Sequence, residues 1–468
     1  MSDAQQWMQN FLQRNQAAVP ANKKPLLENF LQNEKNRVVI DSIIQNEHAL
    51  MARWKQQNRI AEILQQPVRV LNATVGKPYE TVLHFEKLKW TDITEAEFIG
   101  LEELGLTFDK QAHQITGVPT QSGDKKILFR FRIEGQPTDE PPAEKEMTLI
   151  INPDPKSLWK NIESNRDDPY WKEDNVTRFE PLGDRHILVS SKRGRSHANN
   201  GSFREDDYAF SKLENGWWIV VVADGAGSAK VSRKGSVLAC KGIVDYFNEP
   251  STVENMMQFD NLLHQYKNNQ EEESQKNMNR FVYNTLGKGA FQVHKLLHQF
   301  AQDQALTLKD LSTTLVFTLF KKYDVGYAFL SFGVGDCPAA VINREFTEVT
   351  LLNVMDVGEF SGGTRFITMP EIFQNEKFAG RFKFKLLDDF SYLVLMSDGI
   401  FDPKFSVEAN LADLKKWQAF FADLNGQNED KAKVELRKDN PQIEQQFSDW
   451  MDFWSPGNHD DRTLAIVF

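Results

Sequence analysis

The stretch WWIVVVADGAGSAK, Trp217–Lys230, sets the tightest constraint on the fold. Apolar residues from Trp217 to Ala223 lead straight into Asp224, and Gly225-Ala226-Gly227-Ser228 follow with almost no side chain. Such a run reads as a buried strand that ends on a bare acid. The device recurs. Tyr392–Met396 runs into Ser397-Asp398-Gly399, and YAFLSFGVGDCPAAVI sets Gly335-Asp336 between two apolar runs. In the opposite sense, Asp460-Asp461 precede the strand TLAIVF, and Glu205-Asp206-Asp207 open another.

One Asp-Gly at a strand end is a turn signal. Five β-type segments in one region, each with an acid at or beside one end, ask for more than turns. Carboxylates gathered at strand ends repel one another and do not stay ionised unaided. Mg²⁺ and Mn²⁺, which prefer carboxylate, carbonyl and water oxygens, remove that conflict. The nine His are scattered, and no His/Cys cluster suggests zinc. Two hard ions about 4 Å apart share a carboxylate, lower the pKa of a water and neutralise phosphate oxygens, so the pattern points to phosphoester hydrolysis. Neither a P-loop nor a kinase-like lysine strand is present, which argues against nucleotide-driven transfer.

The chain has 468 residues, room for two to four domains. Its net charge of -11 and pI near 5.5 lack the basic footprint of a nucleic-acid binder. The two cysteines, Cys240 and Cys337, imply no disulfide framework and fit a reducing compartment. The polar start MSDAQQWMQNFLQRNQ has no signal-peptide core, and no run approaches the ~18 apolar residues of a membrane span. A cytoplasmic monomer, without membrane or nucleic-acid partners, is the expectation.

Residues 1–66 read as helical: Leu27, Phe30 and Leu31, then Val38, Val39 and Ile43, then Leu50 and Trp54 recur at three and four. The segment reads either as a cap on its own chain or as a partner-binding arm. Pro67 ends that pattern, and short alternating segments with Gly, Pro and Asp turns run over 67–153, which suggests a small β-sandwich. There GLTFDKQAHQITGVPTQSGDKKILFRF resembles the immunoglobulin-like modules of bacterial proteins, which space or bind. Residues 154–177, dense in Pro, Asp and Asn, read as a linker. From 178 to 468, apolar strands alternate with helical blocks at about 229–302 and 405–452. The chain is therefore expected to be α+β.

In this order, REDD, VVVADGAGS, STTLVFTLF, GVGDCPAAVI, LMSDGIFD and HDDRTLAIVF resemble the motifs of the metal-dependent serine/threonine protein phosphatases of type 2C, over about 185–468. DVGEFSGGTRFIT, 356–368, is similar to a segment of a bacterial branch of that family. The resemblance implies a β-sandwich flanked by helices, with two Mn²⁺ or Mg²⁺ ions at one end. By motif, Asp206 and the Gly225 carbonyl would bind the first metal, Asp224 would bridge both, and Asp398 and Asp460 would hold the second. Asp336 matches the acid of a third, looser site. Glu205 would hold metal-bound water, and Asp461 would support these ligands from behind. Thr313 and Thr314 match a small hydroxyl pair with a structural role. Gly225 is expected for the backbone freedom that turns its carbonyl to a metal.

The chain departs from the family pattern in two places. Ala226 stands where eukaryotic relatives carry a His that acts as general acid, which leaves His197 as the candidate. The phosphate-binding Arg is shifted in register, with Arg204 favoured over Arg195 and Arg193. The implied activity is hydrolysis of phosphoserine or phosphothreonine in a protein, with a kinase as a natural counterpart. The competing readings are a silent scaffold and a hydrolase of small phosphoesters on the same fold.

Overall fold

The computed structural model describes residues 3–268, 272–356, 363–374 and 376–468. Residues 357–362 of the DVGEFSGGTRFIT segment lie outside the described residues. The chain divides into two compact units, Met1–Leu158 and Trp159–Phe468. No described helix is long and apolar enough to cross a membrane.

The first unit opens with helices α1 (Asp3–Arg14), α2 (Lys24–Gln32) and α3 (Glu34–Gln65). Pro25 sits in the first turn of α2, where its missing N–H costs nothing. Asn33 caps α3 by accepting from the Lys35 N–H at 3.0 Å, and Pro67 follows its end. Next come β1 (Ala73–Thr74), β2 (Tyr79–Val82), α4 (Phe85–Leu88), β3 (Ile93–Ile99), β4 (Leu106–Asp109), β5 (Gln114–Gly117), β6 (Gly123–Ile133) and β7 (Ala143–Asn152). They form a four-stranded sheet, β1-β7-β6-β3, and a three-stranded sheet, β2-β5-β4. Both sheets contribute to one buried cluster, with Ile115 from one, Phe129 and Leu149 from the other, and Ile63 from α3. Along β6, Ile127, Phe129, Phe131 and Ile133 point into it, the period of two that a half-buried strand requires.

The second unit begins with β8 (Asn175–Leu182), β9 (Arg185–Lys192), α5 (Arg195–Asn200), β10 (Asp207–Lys212) and β11 (Trp218–Ala223). Helices α6 (Ser232–Asn248), α7 (Pro250–Met256), α8 (Gln258–Asn268) and α9 (Glu272–Asp303) follow. Then come β12 (Leu315–Tyr323), β13 (Gly326–Val334), β14 (Ala339–Asn343), β15 (Val349–Leu351), β16 (Phe382–Leu387) and β17 (Phe390–Met396). The chain closes with α10 (Asp398–Phe405), α11 (Leu414–Leu424), α12 (Ile443–Trp450) and β18 (Arg462–Val467).

Two sheets result, ordered β10-β11-β12-β13-β16 and β15-β14-β17-β18-β9-β8. Val220 and Val222 of β11 meet Val189 of β9 and Leu393 of β17 in the core between the sheets. Ile219 and Val221, on the other face of β11, pack on Ile243 of α6 and Val293 of α9. Trp417 of α11 and Trp450 of α12 cover the outer face of the second sheet, against Val394 and Ile466. The expected α+β sandwich flanked by helices is what forms. β11 is buried on both faces, which is why its sequence does not alternate.

The antiparallel registers fix where the acids go. Asp207 pairs with Ala223, so Asp206 and Asp224 lie just beyond the same edge. Val222 pairs with Val316, and Leu315 with Val334, which brings Thr313, Thr314 and Asp336 to that edge. In the second sheet Met396 pairs with Leu464 and Arg462 with Lys192, so Asp398, Asp460 and His197 share one end.

Residues 159–174, expected as linker, instead belong to the second unit. Ile162 O accepts from Arg193 at 2.8 Å, and Asp168 accepts from Arg233 through both oxygens at 2.8 Å. Lys172, with only 12% of its side chain exposed, reaches the Asp206 carbonyl at 2.6 Å. Such segments are polar because they satisfy buried groups, a signal that composition does not separate from linker.

Candidate metal centre

Asp206 is buried, and its Oδ2 accepts from Ser397 Oγ at 2.7 Å and Thr463 Oγ1 at 2.8 Å. Ser191 Oγ lies 2.7 Å from Thr463 Oγ1 and accepts from Arg204 Nη1 at 2.6 Å. Because Thr463 Oγ1 donates its single hydrogen to Asp206, it accepts from Ser191, which in turn accepts from Arg204. Arg204 Nη1 also donates to the Asp206 carbonyl at 2.6 Å, and Nε to Glu173 O at 3.0 Å. With 3% of its surface exposed, Arg204 holds Asp206 in place through Nη1. Arg204, expected as phosphate clamp, thus spends Nη1 and Nε on groups of its own chain. Arg193 is spent likewise on Ser202 O, Asn161 Oδ1 and Ile162 O. Of the three arginines only Arg195 is half-buried rather than buried, with Nη2 on Asp452 O at 2.6 Å.

Asp224 is held through its backbone. Its N–H donates to Thr314 Oγ1 at 2.8 Å, and its carbonyl accepts from Thr314 N at 2.8 Å and Thr313 Oγ1 at 2.9 Å. Thr313 and Thr314 are thus brackets for the acid. Gly225 is needed for close approach rather than for freedom. Its φ is not in the left-handed region, and a Cβ there would meet the Glu205 carbonyl at 2.8 Å and Ser232 at 3.0 Å. Gly399 is tighter still, since a Cβ would lie 1.9 Å from the Asp461 carbonyl.

Asp461 accepts from Gly194 N at 2.6 Å, from Glu205 N, and from His197 Nδ1 at 2.9 Å. Burial pushes its pKa up, but those donors outweigh it and hold the carboxyl below the usual range. In return His197 rises to about 9, because the Asp461 hydrogen bond and charge overcome its burial. His197, Asp460 and Asp461 offer ligand atoms within 4.8 Å of one another, as do Asp224, Asp336 and Cys337. Cys337 is pushed well up, first by burial and then by Asp224, so it stays a thiol, 3.2 Å from Thr314 Oγ1.

The remaining acids load one another. Burial is the largest cause at each, and neighbouring charges add to it. Asp206 rises to about 7 beside Asp461, and Glu205 to about 7. Asp224 is raised well above its usual value, with Asp398, Asp206, Asp460 and Asp336 all contributing. Asp398 is raised well up beside Asp460 and Asp336, while Asp336 and Asp460 are raised as well. The sequence-predicted acids therefore converge. Glu205 Oε2, Asp336 Oδ1 and Asp398 Oδ1 are buried with no hydrogen-bond partner among the described residues. A crowd of raised carboxyls with orphaned oxygens fits hard divalent cations.

Sequence reasoning missed Lys172, which bonds the Asp206 carbonyl and lies 3.3 Å from Ser236 Oγ. Its pKa is lowered to about 8 by burial. It also missed Ser191, Ser397 and Thr463. A hydroxyl in a strand carries no spacing signal, though Ser397 abuts Asp398 and Thr463 lies two beyond Asp461.

No curated protein matches the chain. Among solved structures it is similar to a bacterial serine phosphatase, 16% identical over 60% of this chain and 96% of that one, TM-score 0.35. It is also similar to the serine/threonine phosphatase Stp1 from Staphylococcus aureus, 15% identical over 60% and 93%, TM-score 0.34. A third is the catalytic domain of the serine threonine protein phosphatase PstP in complex with 2 manganese ions, 14% identical over 63% and 98%, TM-score 0.36. The family match is the finding that counts, since Protein phosphatase 2C spans residues 193–447, more than half of the chain. The chain belongs to the protein phosphatase 2C family.

Proposed function

We propose that the chain is a metal-dependent phosphatase that hydrolyses phosphoserine and phosphothreonine in proteins. The carrying observation is that crowded acids from both sheets load one another while Glu205, Asp336 and Asp398 keep unpartnered oxygens. Asp206, Asp224 and the Gly225 carbonyl would hold one Mn²⁺ or Mg²⁺, and Asp224, Asp398 and Asp460 a second, with Asp336 serving a looser third. When bound, such ions lower the pKa of a water and neutralise phosphate oxygens during in-line attack.

The chain's own residues supply the rest. Ser397 and Thr463 fix one Asp206 oxygen and leave the other for a cation. Thr313 and Thr314 hold Asp224 stiffly at the end of β11. Glu205, raised to about 7 chiefly by burial, orients water through its free oxygen. His197 carries a proton at neutral pH, and with Nδ1 committed to Asp461, Nε2 is the atom that delivers it to the departing seryl or threonyl oxygen. A kinase that phosphorylates the same substrate is the natural counterpart.

The substrate class is tested by kcat/KM with Mn²⁺ on phosphothreonine peptides against common phosphorylated metabolites. The proposal expects a preference for peptides. A large preference for metabolites would replace the substrate class while leaving the acid site intact.

A further inference from the structure

Helix α3 is long for what it buries. Of its 32 residues only Ile40 and Ile63 are buried. Helices α1 and α2 pack on it around Ile40, and Trp7 of α1 donates to Glu47 at 2.9 Å. The strip of α3 next to that contact, bordered by Glu47, remains open. Val39 is 57% exposed, Ile43 37%, Leu50 71% and Trp54 64%. At 3.6 residues per turn these four fall within a stripe about 60° wide. Isolated apolar residues on a surface are ordinary, whereas a continuous stripe marks a contact.

The order of residues on the stripe says what covers it. Reading along α3 it runs Asn36, Val39, Ile43, Asn46, then Glu47, Leu50, Trp54, Gln57. The second half mirrors the first about the midpoint between Asn46 and Glu47: polar, apolar, apolar, polar in each direction. An antiparallel second copy crossing at that point sets Val39 against Trp54 and Ile43 against Leu50, twice over. The β-branched Val39 leaves room for the indole. Asn46 meets Glu47 of the other copy, and although its amide already donates to Ser42 O at 2.8 Å, it carries a second hydrogen. Glu47, the single charge on the stripe, sits beside the two-fold next to its copy in the second chain, and each is held by Trp7 of its own α1 and faces Asn46 of the other. A self-complementary surface of this kind is what a two-fold interface requires.

The area also suits a dimer. The contact runs over about 22 residues, or ~33 Å of helix. The stripe, with the exposed Met51 and with Phe11 of α1 stacked on Trp7, supplies on the order of half of the roughly 800 Å² a standard interface takes from each partner. The polar rim alongside supplies the rest.

We infer that α3 pairs antiparallel with α3 of a second copy, so that the chain is a two-fold dimer through its N-terminal helices. This departs from the monomer expected from sequence. It is independent of the phosphatase reading, since the stripe shares no residue with the acid site.

Sedimentation of the full chain across a dilution series tests it. The wild type is expected to dimerise, and Leu50→Glu to weaken self-association by about 30-fold or more, as for a central apolar anchor. Leu50 is exposed, so the helical signal and aryl phosphate turnover should not change. Cross-linking fixes the orientation. Asn46→Cys, beside the two-fold, should form a disulfide-linked dimer, and Val39→Cys should not. The native Cys240 and Cys337 are buried and do not compete. A wild-type monomer, including one that captures a different protein, overturns the inference. A dimer indifferent to Leu50→Glu overturns it too, and cross-linking of Val39→Cys overturns the antiparallel arrangement.

Discussion

Asp206 owes its orientation to a chain of donors that starts at Arg204 and passes through Ser191 and Thr463. Thr463→Val breaks that chain without changing shape much. Supporting hydrogen bonds of this kind are worth roughly 10–100-fold in metal affinity, and Mn²⁺ titration of the variant should show a loss in that range. Arg204→Met separates two roles. A buried positioning group predicts a loss of about 3 kcal/mol in stability with KM for phosphopeptide unchanged. A phosphate clamp predicts the reverse, a stable fold with raised KM. The carboxylates were legible in the sequence because each abuts an apolar strand, and turns alone do not put an acid beside five such strands. The hydroxyls were not, because Ser and Thr in a buried strand look the same whether or not they face an acid.

The acid cluster also makes a pH prediction, with a sign that follows from its shifts. Asp206 and Glu205 rise from 3.8 and 4.5 to about 7, so the metal-free fold binds more protons than the unfolded chain. Their contribution to stability is present at low pH and lost as pH rises through about 7. Divalent metal reverses this, since it binds the ionised form. Melting in EDTA should therefore weaken between pH 4 and 7, roughly the span of those pKa values, while the gain from added Mn²⁺ grows over the same span. The His197–Asp461 pair works in a higher window. The raised His197 contributes fully below 6.5 and its share is lost as pH passes about 9, while the lowered Asp461 loses its share in acid, below its usual 3.8. A melting temperature in EDTA that does not fall across the lower window would contradict the electrostatic account.

At the scale of elements, β11 is the platform. Both of its faces are buried, one against the second sheet and one against α6 and α9, so Asp224 leaves a strand that cannot shift. Ile219→Ala opens a cavity at its far end and should cost about 2–5 kcal/mol in denaturant unfolding. The apolar run revealed this strand but not the reason for Gly225. Only the close approach of Glu205 O and Ser232 shows that lack of a Cβ, rather than backbone freedom, is what the position demands. Turn glycines and packing glycines look alike in a sequence, because the neighbour that excludes the Cβ comes from elsewhere in the chain.

For the whole molecule, the boundary between units falls at Leu158/Trp159, near the start of the 154–177 stretch that composition marked as linker. A chain starting at 159 keeps Lys172, Asp168 and Asn161 with their partners, and should retain turnover on aryl phosphate. One starting at 178 takes Lys172 from the Asp206 carbonyl and Asp168 from Arg233, and should lose most of its activity and stability. The central claim, that the gathered acids work by holding divalent metal against a phosphoester, has one direct measurement. It is phosphate release from a phosphothreonine peptide in Mn²⁺ and in EDTA, by wild type and by Asp224→Asn. The account predicts turnover by the wild type in Mn²⁺ and none in the other three conditions. Equal turnover in EDTA, or in Asp224→Asn, would contradict it.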